Sequence, residues 1–360
     1  MDAPQASGET APISIEISGV WKIFGTDWEQ ALDDIRTNGI SKKEALEKHN
    51  CVVGVADVSF SVRRGEIFCV MGLSGSGKST LVRHINRLLE PSAGKIVVNG
   101  SDVMGLDPEA LRHFRNEKIA MVFQNFALMP HRSVLDNVAM PLEIRGVSKN
   151  RRMKKAAEVL KLVELTGWGN KFAHELSGGM QQRVGLARAL ASDPEILLMD
   201  EPFSALDPLI RRQLQEEFMR LASIMKKTTV FITHDLDEAV RIGDRIAIMR
   251  DGVIVQIGTA EDIVMHPADD YVADFVAGIS RLKVVRAHAV MKPLAEYEAE
   301  NPPLPADVPE LGEDVSLSVL IDAAIKSDGP LAVVDGDGKR LGAITRARLL
   351  KTVVEGTETS

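Results

Sequence analysis

Only two cysteines, Cys51 and Cys69, occur in the 360 residues, and they form no Cys-x-x-Cys pair. This argues against a disulfide framework and a cysteine-built zinc site, so both read as reduced thiols of a cytosolic protein. No run reaches the roughly 18 consecutive apolar residues of a membrane helix, so any service to a membrane must go through a partner. The opening MDAPQASGETAP is acidic and has no apolar stretch, which argues against a signal peptide and for a disordered tail over 1–12. A long heptad run and solenoid-type repeats are also missing. The net charge of −8 lacks the basic excess of a nucleic-acid binder, so no nucleic-acid partner is expected.

The chain does have the makings of a globular core. Hydrophobic residues are 45% and charged residues 26%, and the length favours more than one domain. Ile13, Ile15 and Ile17 alternate with polar residues, as a half-buried strand requires. Trp28, Leu32 and Ile35 share a helical face that Gly39 ends, and Ser41 with Glu44 fits a capping box opening a second helix. Strand-like runs at 67–71, 119–123, 196–199, 229–233 and 245–249 are separated by helical runs that include 80–89, 151–165 and 209–225. Continuous apolar strands alternating with helices predict a buried, mostly parallel sheet. Arg250-Asp251-Gly252 reads as a hairpin joining two further strands. Composition shifts near residue 280, Asn301–Pro305 is linker-like, and 315–353 predicts a small α/β unit.

Gly72-Leu73-Ser74-Gly75-Ser76-Gly77-Lys78-Ser79 fits the P-loop pattern, and it follows an apolar strand and opens a helix. The glycines let backbone N–H groups curl around phosphate oxygens, and the helix start adds positive potential. Lys78 is placed to reach the β- and γ-phosphates, and Ser79 to hold Mg²⁺. An apolar strand ending in Asp200-Glu201 is common by itself, but here it lies about 120 residues after a P-loop. In that setting Asp200 is expected to hold Mg²⁺ through water, and Glu201 to act as general base. Leu176-Ser177-Gly178-Gly179-Met180-Gln181-Gln182-Arg183 would open a second helix with a phosphate-binding start.

Taken together, these stretches resemble the ATP-binding cassette family, the ATPases of ABC transporters, over residues 13–280. Residues 176–183 look like its signature motif, Gln124 like the Q-loop glutamine, Ser204–Asp207 like the D-loop and His234 like the switch histidine. The resemblance implies an α/β fold: a P-loop ABC-type nucleotide-binding domain with a helical subdomain at about 125–184. ATP and Mg²⁺ are the implied cofactors. Catalysis would rest on Glu201, His234, Gln124 and Lys78. Nucleotide would be held by Phe24 (stacked on adenine, in preference to Trp21), Gly72, Ser74, Gly75, Ser76, Gly77, Lys78, Ser79, Thr80, Gln124, Ser177, Gly178, Gly179, Asp207 and His234. Mg²⁺ would be held by Ser79, Gln124 and Asp200. Two copies would face head to tail, with Ser177 and Gly179 of one closing over ATP on the other.

KIFG at 22–25, MGLSGSGKST at 71–80, KIAMVFQNFALMPH at 118–131, FSALDPLIR at 203–211, HDLDEAVRIGDRIAIM at 234–249 and the insertion at 27–50 narrow the resemblance. They are similar to ATPase subunits of glycine betaine, proline betaine or choline importers. That implies a transmembrane permease, a solute-binding protein and a place on the cytoplasmic face of the membrane. The alternatives are an importer of amino acids or polyamines, and a soluble ABC ATPase without a transport role. The apolar loop 125–131 is where that family receives its permease. Val290-Met291-Lys292-Pro293 and 331–350 make 281–360 resemble a CBS-type regulatory domain. Arg348 stands where such modules often carry the ribose-binding Asp, so nucleotide binding there is open. The basic cluster Lys339, Arg340, Arg346 and Arg348 suggests anionic lipid instead, against the simpler reading of a solvated face.

Overall fold

Continuous apolar strands build the framework, as the sequence predicts. The structure, a computed structural model, describes residues 11–327 and 329–354; nearly all of the expected tail lies outside them. The chain divides into two units, one ending at Ile257 and the other beginning at Gly258. The compositional change near residue 280 therefore falls inside the second unit.

In the first unit the strands are β1 (Ile13–Phe24), β2 (Val52–Arg63), β3 (Ile67–Met71), β4 (Ala93–Val98), β5 (Ser101–Asp102), β6 (Ile119–Val122), β7 (Ile196–Asp200), β8 (Thr228–Thr233), β9 (Arg245–Arg250) and β10 (Val253–Gly258). Its helices are α1 (Trp28–Asn38), α2 (Lys42–His49), α3 (Lys78–Ile85), α4 (Pro108–Glu117), α5 (Val134–Ile144), α6 (Lys149–Leu162), α7 (Gly178–Ala191), α8 (Pro208–Met225) and α9 (Leu236–Ile242). One sheet runs β10-β9-β3-β8-β7-β6, and β9, β3, β8, β7 and β6 are parallel. Every residue of β7 and β8 is buried, which is why these strands read as apolar runs without alternation. A second, antiparallel sheet runs β2-β1-β4-β5. Its Ile15, Ile17 and Phe60 share one core with Phe68 and Val70 of β3 and Leu81 and Ile85 of α3. The Phe60 and Phe68 rings stack with centroids 4.8 Å apart.

The insertion forms the two expected helices. Gly39 ends α1 in the left-handed region, and Ser41 and Glu44 make the reciprocal capping box of α2. Ala31 and Leu32 pack on Trp21 and Ile23 of β1. The helices α5, α6 and α7 supply the helical layer expected near 125–184.

The second unit holds α10 (Ala260–Met265), α11 (Asp270–Val276), α12 (Arg281–Val284), α13 (Ala287–Val290), β11 (Lys292–Pro293), α14 (Leu294–Glu300), β12 (Glu310–Gly312), α15 (Leu317–Lys326), β13 (Leu331–Val334), β14 (Arg340–Ile344) and α16 (Arg346–Val354). A sheet ordered β11-β14-β13-β12 packs with α15 and α16 around Leu317, Leu320, Leu331, Val333, Ile344 and Leu349. Three members of the basic cluster are held internally. Arg340 bonds Glu310 and the Pro305 and Ala306 carbonyls. Arg346 bonds the Ala324 and Ser327 carbonyls, and Arg348 that of Val290.

Candidate functional site

Phosphate chemistry needs donors that converge, and the parallel sheet supplies them at one edge. Gly72 follows β3, Gln124 lies just beyond β6, Asp200 ends β7 and His234 follows β8. All four sit at the carboxyl ends of parallel strands, where open α/β sheets hold their ligands.

The loop from Gly72 to Gly77 depends on its glycines. Gly72, Gly75 and Gly77 have φ of 152°, 81° and 100°. A Cβ on Gly72 would come within 2.1 Å of the Met249 carbonyl oxygen, and one on Gly77 within 2.3 Å of that of Gly54. A Cβ on Gly75 would meet nothing within 4 Å, so that glycine serves the left-handed turn and leaves its inner side clear. Lys78 Nζ donates to the Gly72 and Leu73 carbonyls at 2.8 and 2.9 Å, which sets the ammonium within the curve of the loop. Burial pushes the Lys78 amine below its ordinary value, and the charges of Glu201 and Asp200 oppose that shift. Ser74 is exposed, Ser76 is buried with a hydroxyl lacking a partner, and Ser79 and Thr80 occupy the first turn of α3.

Ser79 Oγ donates to Asp200 Oδ1 at 2.6 Å, and Arg83 Nη2 donates to Oδ2 at 3.1 Å. Only 2% of Asp200 is exposed, so both carboxylate oxygens need these partners. A hydroxyl and a carboxylate are hard oxygen donors of the kind Mg²⁺ prefers. Among the described residues no cluster of three His, Cys, Asp or Glu could hold a metal. Mg²⁺ usually takes one or two protein ligands plus substrate phosphates, and the Ser79–Asp200 pair fits that pattern. Glu201 sits in the left-handed region with φ of 47°, where a non-glycine residue is strained. His234 Nδ1 donates to Glu201 Oε2 at 3.0 Å. That bond orients the carboxylate at the strand edge, as a general base requires.

Gln124 is exposed, and the loop after it carries two further left-handed residues, Phe126 and Ala127. The buried Arg188 of α7 donates to both of their carbonyls, at 3.0 and 2.6 Å. This link between the signature helix and the Q-loop gives no sign in the sequence, since Arg188 sits among ordinary helix formers. Ser177 caps α7 by accepting from Met180 N at 3.3 Å. A Cβ on Gly178 would meet Leu206, and one on Gly179 would lie 2.6 Å from Ile210 Cγ2. The signature residues therefore pack on the turn of Asp207, which itself caps α8 through Ile210 N. Phe24 is 41% exposed beside Gly54, whereas Trp21 is 8% exposed under the Arg36 guanidinium. Both rings have a cation over them, Lys22 at 5.2 Å on Phe24 and Arg36 at 5.6 Å on Trp21, and Phe24 is the more accessible of the two.

The phosphate loop after β3 and the Asp200–Glu201 end of β7 share one edge of a parallel sheet, the arrangement of a P-loop nucleotide-binding domain. A family model described as ABC transporter matches residues 55–204. The glycine betaine transport ATP-binding protein OpuAA of Bacillus subtilis is 49% identical over 94% of this chain and 78% of its own. The trimethylamine N-oxide transport system ATP-binding protein TmoW of Pelagibacter ubique is 45% identical over 94% of this chain and 97% of its own. A dimeric post-hydrolysis structure of the ATP-binding cassette MJ0796, bound to ADP and Pi, superposes with a TM-score of 0.58 at 32% identity, covering 68% of this chain and 98% of that one. The chain belongs to the ABC transporter family, as an ATP-binding subunit.

Proposed function

We propose that this chain hydrolyses ATP to drive uptake of a quaternary amine osmolyte such as glycine betaine, proline betaine or choline. The observation that carries the ATPase part is the strand edge where Ser79 meets Asp200 and His234 meets Glu201. The backbone of 72–77 and Lys78 would bind the phosphates, and Phe24 would stack on adenine. Ser79, Asp200 and Gln124 would hold Mg²⁺, which when bound offsets phosphate charge. Glu201 would take the proton of the attacking water, with His234 fixing its carboxylate and reaching the γ-phosphate. Ser177, Gly178, Gly179 and Asp207 lie together, suited to meet nucleotide held by a second copy.

The osmolyte reading rests on the relatives and on the helical insertion at 27–50. No helix of the described residues is long and apolar enough to cross a membrane, so translocation would belong to a permease. A groove of about 380 Å³ lined by Met121, Phe123, Met129 and Met140, with Arg115 and Asn116 also lining it, would suit an amphipathic helix of that permease. A solute-binding protein would deliver the amine, and the chain would sit on the cytoplasmic face of the membrane. The second unit would act as the CBS-like regulatory domain. Arg340 is paired with Glu310, and Arg346 and Arg348 donate to internal carbonyls while keeping their charge, so the lipid-binding reading loses one cation and part of its hydrogen-bonding capacity.

The test is uptake by proteoliposomes holding the permease, its binding protein and this chain, with ATP and Mg²⁺ inside. Labelled glycine betaine should accumulate and be competed by choline. Accumulation of an amino acid, a polyamine or trimethylamine N-oxide in preference to any quaternary amine would overturn the substrate assignment.

A further inference from the structure

Arg83 has no part in the phosphate cradle, yet its guanidinium occupies one oxygen of the buried Asp200 carboxylate. Its position follows from helix geometry. Ser79 and Arg83 are four residues apart on α3, so their side chains share one face. Ser79 takes Oδ1 and Arg83 takes Oδ2, at 2.6 and 3.1 Å. About half of the Arg83 side chain is exposed while Asp200 is almost wholly buried, so the cation reaches in from solvent.

Charge balance gives this pair its consequence. Four charged groups converge here: Lys78 and Arg83 are cations, and Asp200 and Glu201 are anions. Their formal charges cancel, and a free divalent ion arriving alone meets no net attraction. It would also have to compete with Arg83 for the carboxylate that best suits it. A nucleotide changes the balance, because its phosphates bring the negative charge that a divalent ion needs.

We infer that Arg83 is a positioning residue that serves as built-in counter-cation to Asp200, holding free divalent ions off the site until nucleotide arrives. This rests on the reading of Asp200 as a Mg²⁺ ligand. Arg83 also fixes the carboxylate so that Oδ1 faces Ser79, which keeps the metal-binding oxygen in register before the ion comes.

The test measures divalent binding to the nucleotide-free protein, with Mn²⁺ as probe and the free ion counted by electron paramagnetic resonance. Wild type, Arg83→Met, Arg83→Gln, Arg83→Lys and Asp200→Asn are compared, the last also combined with Arg83→Met. Thermal unfolding of each variant confirms that it is folded. The two neutral variants should bind Mn²⁺ at least about tenfold more tightly than wild type, with Arg83→Lys close to wild type. The gain should vanish in the double variant. Folded neutral variants that bind no more tightly than wild type, while Asp200→Asn weakens binding, would overturn the role of Arg83 and leave Asp200 as ligand. A gain that persists in the double variant, or binding indifferent to Asp200→Asn throughout, would overturn the Asp200 reading itself and the inference with it.

Discussion

Glu201 combines three features of a general base: a strand-edge position, a hydrogen bond from His234 and a strained backbone. Glu201→Gln keeps the shape and the possibility of a bond to His234 but removes the proton acceptor. Nucleotide affinity should stay near wild type while turnover falls on the order of 10²–10⁴-fold, as read by paired binding curves and phosphate release. Near-normal turnover would remove Glu201 from that role. At this scale the sequence is legible where a motif fixes both residue type and spacing, as at 72–79 and 200–201. It is silent about Arg83 and Arg188. Their roles arise from pairing with Asp200, 117 residues away, and with the loop carbonyls of Phe126 and Ala127, which no local pattern encodes. The choice of Phe24 over Trp21 is an intermediate case. Both are aromatic on β1, and it is the insertion packing on Trp21 that leaves Phe24 the exposed one.

Among the elements, α3 carries both Lys78 and Ser79 of the candidate site and a pH-sensitive anchor. His84 is fully buried, and its Nδ1 donates to the Leu89 carbonyl at 2.6 Å. Burial pushes its imidazole from 6.5 down to about 4, against the raising effect of that hydrogen bond. The unfolded chain therefore binds a proton that the folded chain refuses between these values. The stability contributed by neutral His84 is fully present above pH 6.5 and is lost as pH falls toward about 4. The slope from this one group is at most about 1.4 kcal/mol per pH unit. Denaturant midpoints should fall across that window in wild type and flatten in His84→Gln; an unchanged slope would show that other groups dominate. Most elements are legible in the sequence because their apolar period is strong, as in β3, β7, β8 and the two insertion helices. Strand β2 and helices α4 and α5 are less so. The sequence of β2 carries a glycine and two serines and departs from clean alternation, and α5 contains Pro141.

For the whole molecule, the sequence reading sets a boundary near residue 280, while the folded chain divides into compact units at Gly258. Helices α10 and α11 lie in the unit that begins at Gly258, and Met265 packs on the core around Val285 and Leu317. That packing joins residues far apart in sequence, whereas the compositional shift near 280 marks only a change in local chemistry. The same limit applies to assembly. Within one chain the signature residues Ser177, Gly178 and Gly179 pack on the Asp207 turn, and the phosphate loop lies at the end of β3. One copy thus displays two helix starts, α3 and α7, and in the proposed reading each takes a counterpart. The central claim is that a second copy supplies it. The most direct measurement is sedimentation of the Glu201→Gln protein with and without ATP and Mg²⁺, alone and combined with Ser177→Arg. The account predicts a dimer only with nucleotide, abolished by Ser177→Arg even though nucleotide still binds each chain. A protein that stays monomeric with saturating ATP, or that dimerises equally well with Ser177→Arg, would contradict it.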